Sequence, residues 1–373
     1  MTATRGIPIS QGFMLLMLTA GLTNHVMIIP VVLEKSDRNA WITVVVAGIL
    51  FVPWVLLAYR LMTKIGTRSI SKAIEDSAGK FARILISTMM ALYLIAFSFY
   101  TLKEVIDWTK STYLLQTPIL VTSVCLIALC LITARSGMTT IGITAGILLP
   151  IVIILGIFVA TVNVKYKDYS FLLPILEDGF GPILKGLPIV FGGFTQFILA
   201  VFITPHTKGK MKLWTALAFH VVLVILTLGP TIAGITEFGA DEMKLQRYPA
   251  YEQWRLVKLG KFIEHVDFLS IYQWLSGAYI SISLCMYLAG EALFKKMNRT
   301  AGMIGFSFLL IILCAAPISN LKMYFWMRDY FIPGSAIYTT VLLLLMTFLI
   351  RGANNEPTHT QKGEPPCTSP HKT

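Results

Sequence analysis

"LTAGLTNHVMIIP", Leu18 to Pro30, and "GLPIVFGGFTQFILAVFITP", Gly186 to Pro205, decide how the chain is read. Both lie inside apolar runs long enough to cross a bilayer. Each carries polar and helix-weakening residues at its middle: Gly21, Thr23, Asn24 and His25 in the first, Pro188, Gly192, Gly193, Thr195 and Gln196 in the second. An unpaired backbone group costs several kcal/mol in hydrocarbon, so a helix breaks there only where a cavity or ligand satisfies what is freed. Half-helix N-termini then offer amides and a positive dipole end to an anionic group, and unwound carbonyls can hold an ammonium or a metal cation. The arrangement suits a zwitterion, and hence a free amino acid. The alternative, for either span alone, is that glycine and proline mark a close helix contact or a kink.

The surrounding composition sets the class. Of the 373 residues 55% are hydrophobic and 13% charged, and the mean hydropathy is +0.72, which is the profile of an all-α membrane protein. With about 20 apolar residues needed per crossing, ten transmembrane helices are expected at 10–33, 40–63, 83–107, 117–134, 139–162, 179–205, 212–235, 268–293, 300–317 and 329–350. The first run lacks a small-residue cleavage site and nine others follow it, so it reads as retained. The net charge of +12 does not point to nucleic acid, because lysine and arginine gather in the cytoplasmic loops of polytopic chains. With the N-terminus inside, that side collects Arg5, Arg60, Lys64, Arg68, Lys72, Lys80, Arg83, Arg135, Lys208, Lys210, Lys212, Lys295, Lys296, Arg299, Arg351, Lys362 and Lys372, and both termini face the cytoplasm.

Ten spans divide into five plus five. An odd number per half forces the second half into the membrane upside down, which makes an inverted repeat with broken helices 1 and 6, and interruptions at matching places in two halves point to a binding site between them. The expected division is an N-terminus at 1–9, a first repeat at 10–162, a link at 163–178, a second repeat at 179–350 holding a long extracytoplasmic loop at 236–267, and a disordered, proline-rich tail at 351–373. No GxxxxGK[ST], HExxH or GxSxG pattern occurs, so the chain reads as neither an ATP-driven pump nor an enzyme, and it calls for no cofactor. Cys125, Cys130, Cys285, Cys314 and Cys367 show no metal or redox spacing and read as small core residues, with no metal site.

Individual residues carry two readings each. His25 is an ionisable group near mid-membrane and therefore a functional candidate, or else a neutral donor to a freed carbonyl. Thr23, Asn24 and Gln196 either touch a ligand or satisfy local backbone. Tyr93, Phe97 and Tyr100 lie on one helical stripe, as packing or as a cavity wall. Lys103, Glu104 and Asp107 read as a solvated, self-paired helix end. On the eighth span Ser276, Tyr279, Ser281 and Ser283 are polar at depth, and serines there also bond back to their own helix. A hydroxyl pair such as Ser281 and Ser283 is a weak basis for a sodium site. His220 has no evident partner and reads as structural, Gly142 and Gly146 as a packing pair. Trp254, Val257, Phe262 and Val266 suggest a loop helix lying at the membrane interface.

The segments "ISQGFMLLMLTAGLTNHVMIIP", "SDRNAWITVVVAGIL", "LPILEDGFGPILKGLPIVFGGFTQFILAVF" and "FIEHVDFLSIYQW" resemble the B subunits of nutrient germinant receptors of spore-forming bacteria. That family is similar to the amino acid–polyamine–organocation transporters, with their leucine-transporter-like inverted repeat. The resemblance implies an integral subunit of the spore inner membrane, working with A and C subunits and sensing an amino-acid-like nutrient; the alternative is a symporter or permease that moves the nutrient. It also implies a pocket built from spans one, three, six and eight, and so from Thr23, Asn24 and His25, Tyr93 and Phe97, Gly193, Phe194 and Thr195, and Tyr279 and Ser281. Some proton-coupled relatives carry a lysine in span five, where "TTIGITAGILLPIVIILGIFVATV" has no ionisable residue, which excludes coupling through that position.

Overall fold

The computed structural model describes residues 6–258, 265–294 and 298–350. Arg5, Phe262, Lys295, Lys296, Cys367 and the tail from 351, with its basic residues, lie outside the described residues. The chain is all-α apart from one short parallel pairing of β1 (Ile7–Pro8) with β2 (Thr207–Lys208), in which Ile7 lies opposite Thr207.

All ten expected spans fall on helix. The first begins as α1 (Ile9–Leu22), passes through a π-helical segment at Thr23–Met27 and continues as α2 (Ile29–Ser36). Asp37, at φ 52, then turns the chain into α3 (Ala40–Ile65). The apolar helical stretch Ile9–Ile65 is therefore two crossings: at about 1.5 Å per residue it would otherwise far exceed a hydrocarbon core of about 30 Å. After it come α4 (Ile70–Thr112), interrupted at Gly79 with φ 84, then α5 (Ile119–Ser136) and α6 (Met138–Val162). The sixth span is α7 (Gly181–Phe194), a 3₁₀ turn at Thr195–Phe197 and α8 (Ile198–Ile203). The loop after α9 (Leu213–Phe238) holds the short helices α10 (Ala240–Leu245) and α11 (Pro249–Arg255). Helices α12 (Leu269–Leu293), α13 (Arg299–Ala315) and α14 (Asn320–Trp326) follow. A second π-helical segment, Met327–Phe331, leads into α15 (Ile332–Leu349).

Among the described residues seven helical stretches are long and apolar enough to cross a membrane, so this is a multi-pass membrane protein. Burial ranks them. In Gly181–His206 the most apolar window is 83% buried, against 17% in Met138–Tyr166, so the sixth span is the centre of the bundle and α6 its lipid-facing flank. Around that centre α4 packs along α12, α3 along α7 and α9, and α1 along α6 and α12. The expected small pair lets α6 approach β1 and α1: a Cβ on Gly142 would lie 3.0 Å from Ile7, and one on Gly146 3.7 Å from Met14.

Two loop readings are corrected. Trp254 and Val257 are buried in protein, not laid on a membrane surface, and the Trp254 Nε1–H donates to Gln273 Oε1 at 2.9 Å. Lys103, Glu104 and Asp107 are 2%, 6% and 6% exposed, because the α10–α11 loop folds over the end of α4. Lys103 Nζ pairs with Asp107 at 2.8 Å, and Arg247 from the loop with Glu104 at 2.5 Å. Of the cysteines, Cys130, Cys285 and Cys314 are buried, whereas Cys125 is exposed on the outer side of α5.

Candidate functional site

The interruptions in spans one and six change the helical register without unwinding the chain. Thr23 and Ile28 keep right-handed helical dihedrals, and Ile28 N–H donates to Thr23 O at 3.0 Å, one residue further back than in an α-helix. Pro30 gives the local reason: it cannot donate to the carbonyl four residues earlier, and a wider turn before it redistributes the remaining bonds. In span six, Thr195 and Ile198, at either end of the 3₁₀ turn, also keep helical dihedrals. The main chain thus stays helical there, and the polar side chains are what distinguishes these two segments.

Those side chains fall into two groups. Asn24, fully buried, donates through Nδ2 to Ala20 O at 2.8 Å and to Gly193 O at 3.1 Å, clasping span one to span six. Gly193 makes this approach possible: a Cβ there would stand 2.5 Å from Asn24 Oδ1. His25 Nδ1 meets Leu226 O of α9 at 3.1 Å. Thr195 Oγ1 donates to Gly192 O at 3.0 Å. Phe194 packs between Phe51 and His220, with ring centroids 5.7 and 5.4 Å away, and His220 Nε2 itself lies 2.8 Å from Gly48 O. On α12, Tyr279 pairs its hydroxyl with that of Thr133 on α5, while Ser281 donates to Gly277 O of its own helix at 2.7 Å. Asn24, His25, Gly193, Phe194, Thr195, Tyr279 and Ser281 thus make helix-to-helix or within-helix contacts and do not line the central cavity.

Thr23, Tyr93 and Phe97 do line it. The cavity is bounded by Thr23 and Ile28 at the first π segment, by Tyr93, Phe97 and Tyr100 on α4, by Gly192 and Gln196 at the 3₁₀ turn, and by Phe331, Ile332 and Ser335 where the second π segment meets α15. All three departures from α register therefore converge on one space. Its water-accessible volume is about 10 Å³, roughly one water molecule. The rings of Tyr93 and Phe97 are nearly parallel, 6° apart with centroids at 6.1 Å, and Phe331 leans on Tyr100 at 5.1 Å. A ligand larger than water needs part of this lining to move, and the Phe331–Tyr100 contact is one place where it can. Gly192 is fixed by close approach as well, since a Cβ there would lie 2.3 Å from Ile332 O.

One turn along α4 from Tyr100, a polar roof covers the cavity. The Arg247 guanidinium, paired with Glu104, sits 4.0 Å over the Tyr324 ring, whose hydroxyl donates to Glu34 at 3.2 Å. Arg328 joins Glu34 at 2.5 Å and Asp329 at 2.7 Å. Among the described residues no three His, Cys, Asp or Glu side chains gather as a metal site would require.

The contribution of span ten, Phe331, Ile332 and Ser335, is absent from the sequence reading. A signal for it existed: "YFIPGS", 330–335, places a proline just after an aromatic and apolar pair, much as "VMIIP" does in span one.

Comparison with known proteins gives a consistent grouping. The family model described as "Spore germination protein" matches residues 6–322. The chain is similar to spore germination protein XB of Bacillus anthracis, 36% identical over 341 residues, covering 91% of this chain and 96% of that protein. It is also similar to spore germination proteins A2 and B2 of Bacillus subtilis strain 168, at 23% identity over 71% of this chain and 73% of the relative, and at 21% over 65% and 66%.

Proposed function

This chain belongs to the spore germination protein family, and from that premise we propose that it is an integral subunit of a nutrient germinant receptor, sensing an amino-acid-like germinant in the central cavity. On this reading the ten helical spans form two five-helix halves of opposite orientation in the spore inner membrane, with both termini cytoplasmic, and A and C subunits read the ligand-dependent state. Thr23, Tyr93 and Phe97 contact the ligand, while Asn24 and Gly193 hold spans one and six at the spacing the pocket needs.

The observation that carries the reading is the convergence of three register changes and an aromatic stripe on one enclosed space. Non-α turns inside helices are costly and recur at functional sites. To shift a two-state equilibrium strongly the nutrient must favour one state by several kcal/mol, and displacement of Phe331 from Tyr100 supplies two discrete arrangements. In spores carrying Phe97→Trp, the nutrient response should disappear while immunoblots show the protein at its usual level. An unchanged dose response would remove the cavity from the mechanism.

A permease that moves the nutrient is the second reading, and the permease name carried by the family model favours it. Uptake of radiolabelled amino acids into proteoliposomes, with and without an ion gradient, separates the two. Accumulation means transport; saturable binding without accumulation means sensing.

A further inference from the structure

We propose that the side-chain amide of Gln196, and not unwound main chain, is the polar anchor of the central cavity, and that the ligand it holds carries no net charge. The inference rests on the reading that the cavity is the nutrient site, and it specifies what that site accepts.

In the two interrupted spans nearly every polar group is already engaged. Their backbone stays helical. Asn24 gives its amide hydrogens to the Ala20 and Gly193 carbonyls, His25 faces Leu226 O, and Thr195 donates to Gly192 O. Thr23, which also lines the cavity, turns its hydroxyl to the Met27 sulfur at 3.8 Å, and what remains with an unmet acceptor is Gln196. It is 3% exposed, it lines the cavity, and among the described residues its Oε1 has no hydrogen-bond partner. A buried acceptor left this way is destabilising, and a donor brought by a ligand removes the deficit. A primary amide can also donate through Nε2, so one side chain can meet both a donor and an acceptor of the same small molecule.

The rest of the wall sets the charge. Thr23 and Ser335 contribute hydroxyls and the remainder is aromatic or aliphatic; none of the lining residues is Lys, Arg, His, Asp or Glu. Bringing a net charge into such a wall without a counter-charge is heavily unfavourable. Glu104, one turn beyond Tyr100, is already paired with Arg247. A free inorganic cation, or an amino acid with a charged side chain, therefore lacks a partner. A zwitterion with an aliphatic side chain matches: its opposite charges offset each other, its ammonium donates to Gln196 Oε1, and its hydrocarbon packs on Phe97 and Tyr100.

The test uses the full chain purified in detergent, with calorimetry against L-alanine, L-valine, L-leucine, L-glutamate, L-lysine and potassium chloride as probes. Saturable binding confined to the first three is expected. Gln196→Leu should weaken it by about tenfold or more, the effect of one lost hydrogen bond to a charged group. Gln196→Glu should lose the neutral probes and gain L-lysine, and it decides the matter if the leucine variant does not fold. Neutral binding unchanged within about twofold in either folded variant overturns the anchor, and wild-type binding of L-glutamate, L-lysine or potassium at comparable strength overturns the charge rule; both outcomes leave the sensing role standing. Binding of none of the probes removes the sensing role itself.

Discussion

Leu226 loses its helical donor because Pro230, four residues on, has no N–H, and His25 Nδ1 lies 3.1 Å from the carbonyl so freed. A carbonyl only accepts, so His25 carries its hydrogen on Nδ1, and the neutral tautomer suffices. Of the two readings of His25 in the sequence, this geometry supplies the structural one, with the carbonyl contributed by α9 and not by its own helix. His25→Phe should lower unfolding stability by about 1–3 kcal/mol, the cost of an orphaned buried acceptor. In a Pro230→Ala background the new amide can take Leu226 O, and the same substitution should then cost measurably less. A double-mutant cycle by thermal unfolding in detergent reads the difference; equal costs in both backgrounds would refute the pairing. No local pattern could have revealed this partnership, because proline and histidine stand some two hundred residues apart in sequence.

At the scale of the element, what was legible was periodicity. Span positions, the polar interruptions of spans one and six, and the Tyr93, Phe97 and Tyr100 stripe all follow from residue order within one helix, where spacing fixes which side chains share a face. Whether an interruption unwinds or widens its turn depends instead on what packs beside it. Asn24 and Gly193 close the gap between the two spans, so the main chain need not be bare. The same limit hid span ten, whose wall residues Phe331 and Ile332 stand where a π segment at Met327–Phe331 passes into α15. Pro333 stands two residues beyond that segment and denies a donor to the carbonyl of Asp329. Pro333→Ala restores the donor and should let the segment relax to α register, rotating Phe331 away from Tyr100. The expected readout is slower amide exchange over 327–335 together with a nutrient dose response shifted by about tenfold or more, equivalent to some 1.4 kcal/mol of changed conformational preference. Faster exchange at unaltered dose response would show the π segment to be incidental.

Across the whole molecule, α4 joins the cavity to the loop that covers it. Tyr93, Phe97 and Tyr100 line the cavity; Glu104, Trp108 and Tyr113, on the helix and just past its end, meet the loop. The described part of the "FIEHVDFLSIYQW" segment, residues 265–274, gains a physical meaning there. Asp267 accepts from the hydroxyls of Tyr113 at 3.1 Å and Tyr251 at 3.0 Å, and Trp274 packs on Trp108 with centroids 3.9 Å apart and ring planes tilted by 35°. Burial pushes both phenols above their ordinary 10.0, with Asp267 adding to the effect. A raised folded-state value means that the stabilisation is complete below the unfolded value near 10.0 and declines as pH rises beyond it. Amide exchange over 240–256 should therefore show constant protection up to about pH 9.5, after allowance for intrinsic exchange rates, and progressive loss above about pH 10. Loss beginning near neutrality would mean that other groups hold the loop.

The second fastening, Arg247 on Glu104, differs in kind because one partner is buried and charged. Glu104 has a side chain 8% exposed, whereas that of Arg247 is 33% exposed, so removing the arginine strands a carboxylate, and removing both charges leaves only a neutral amide, a smaller cost. Breaking such a pair from one side is expected to cost about 3 kcal/mol, the lower end for buried pairs because Arg247 is partly solvated. Arg247→Met should accordingly lower the unfolding midpoint and release exchange over 240–256, while Glu104→Gln combined with Arg247→Met should recover part of the lost stability. The sequence presents Glu104 as one of three charged residues at a helix end, a pattern that usually means solvent; only the folded loop turns it into a buried ion pair. If the single and double variants prove equally destabilised, the loop is held by its aromatic contacts and the ion pair plays no part in closing the roof.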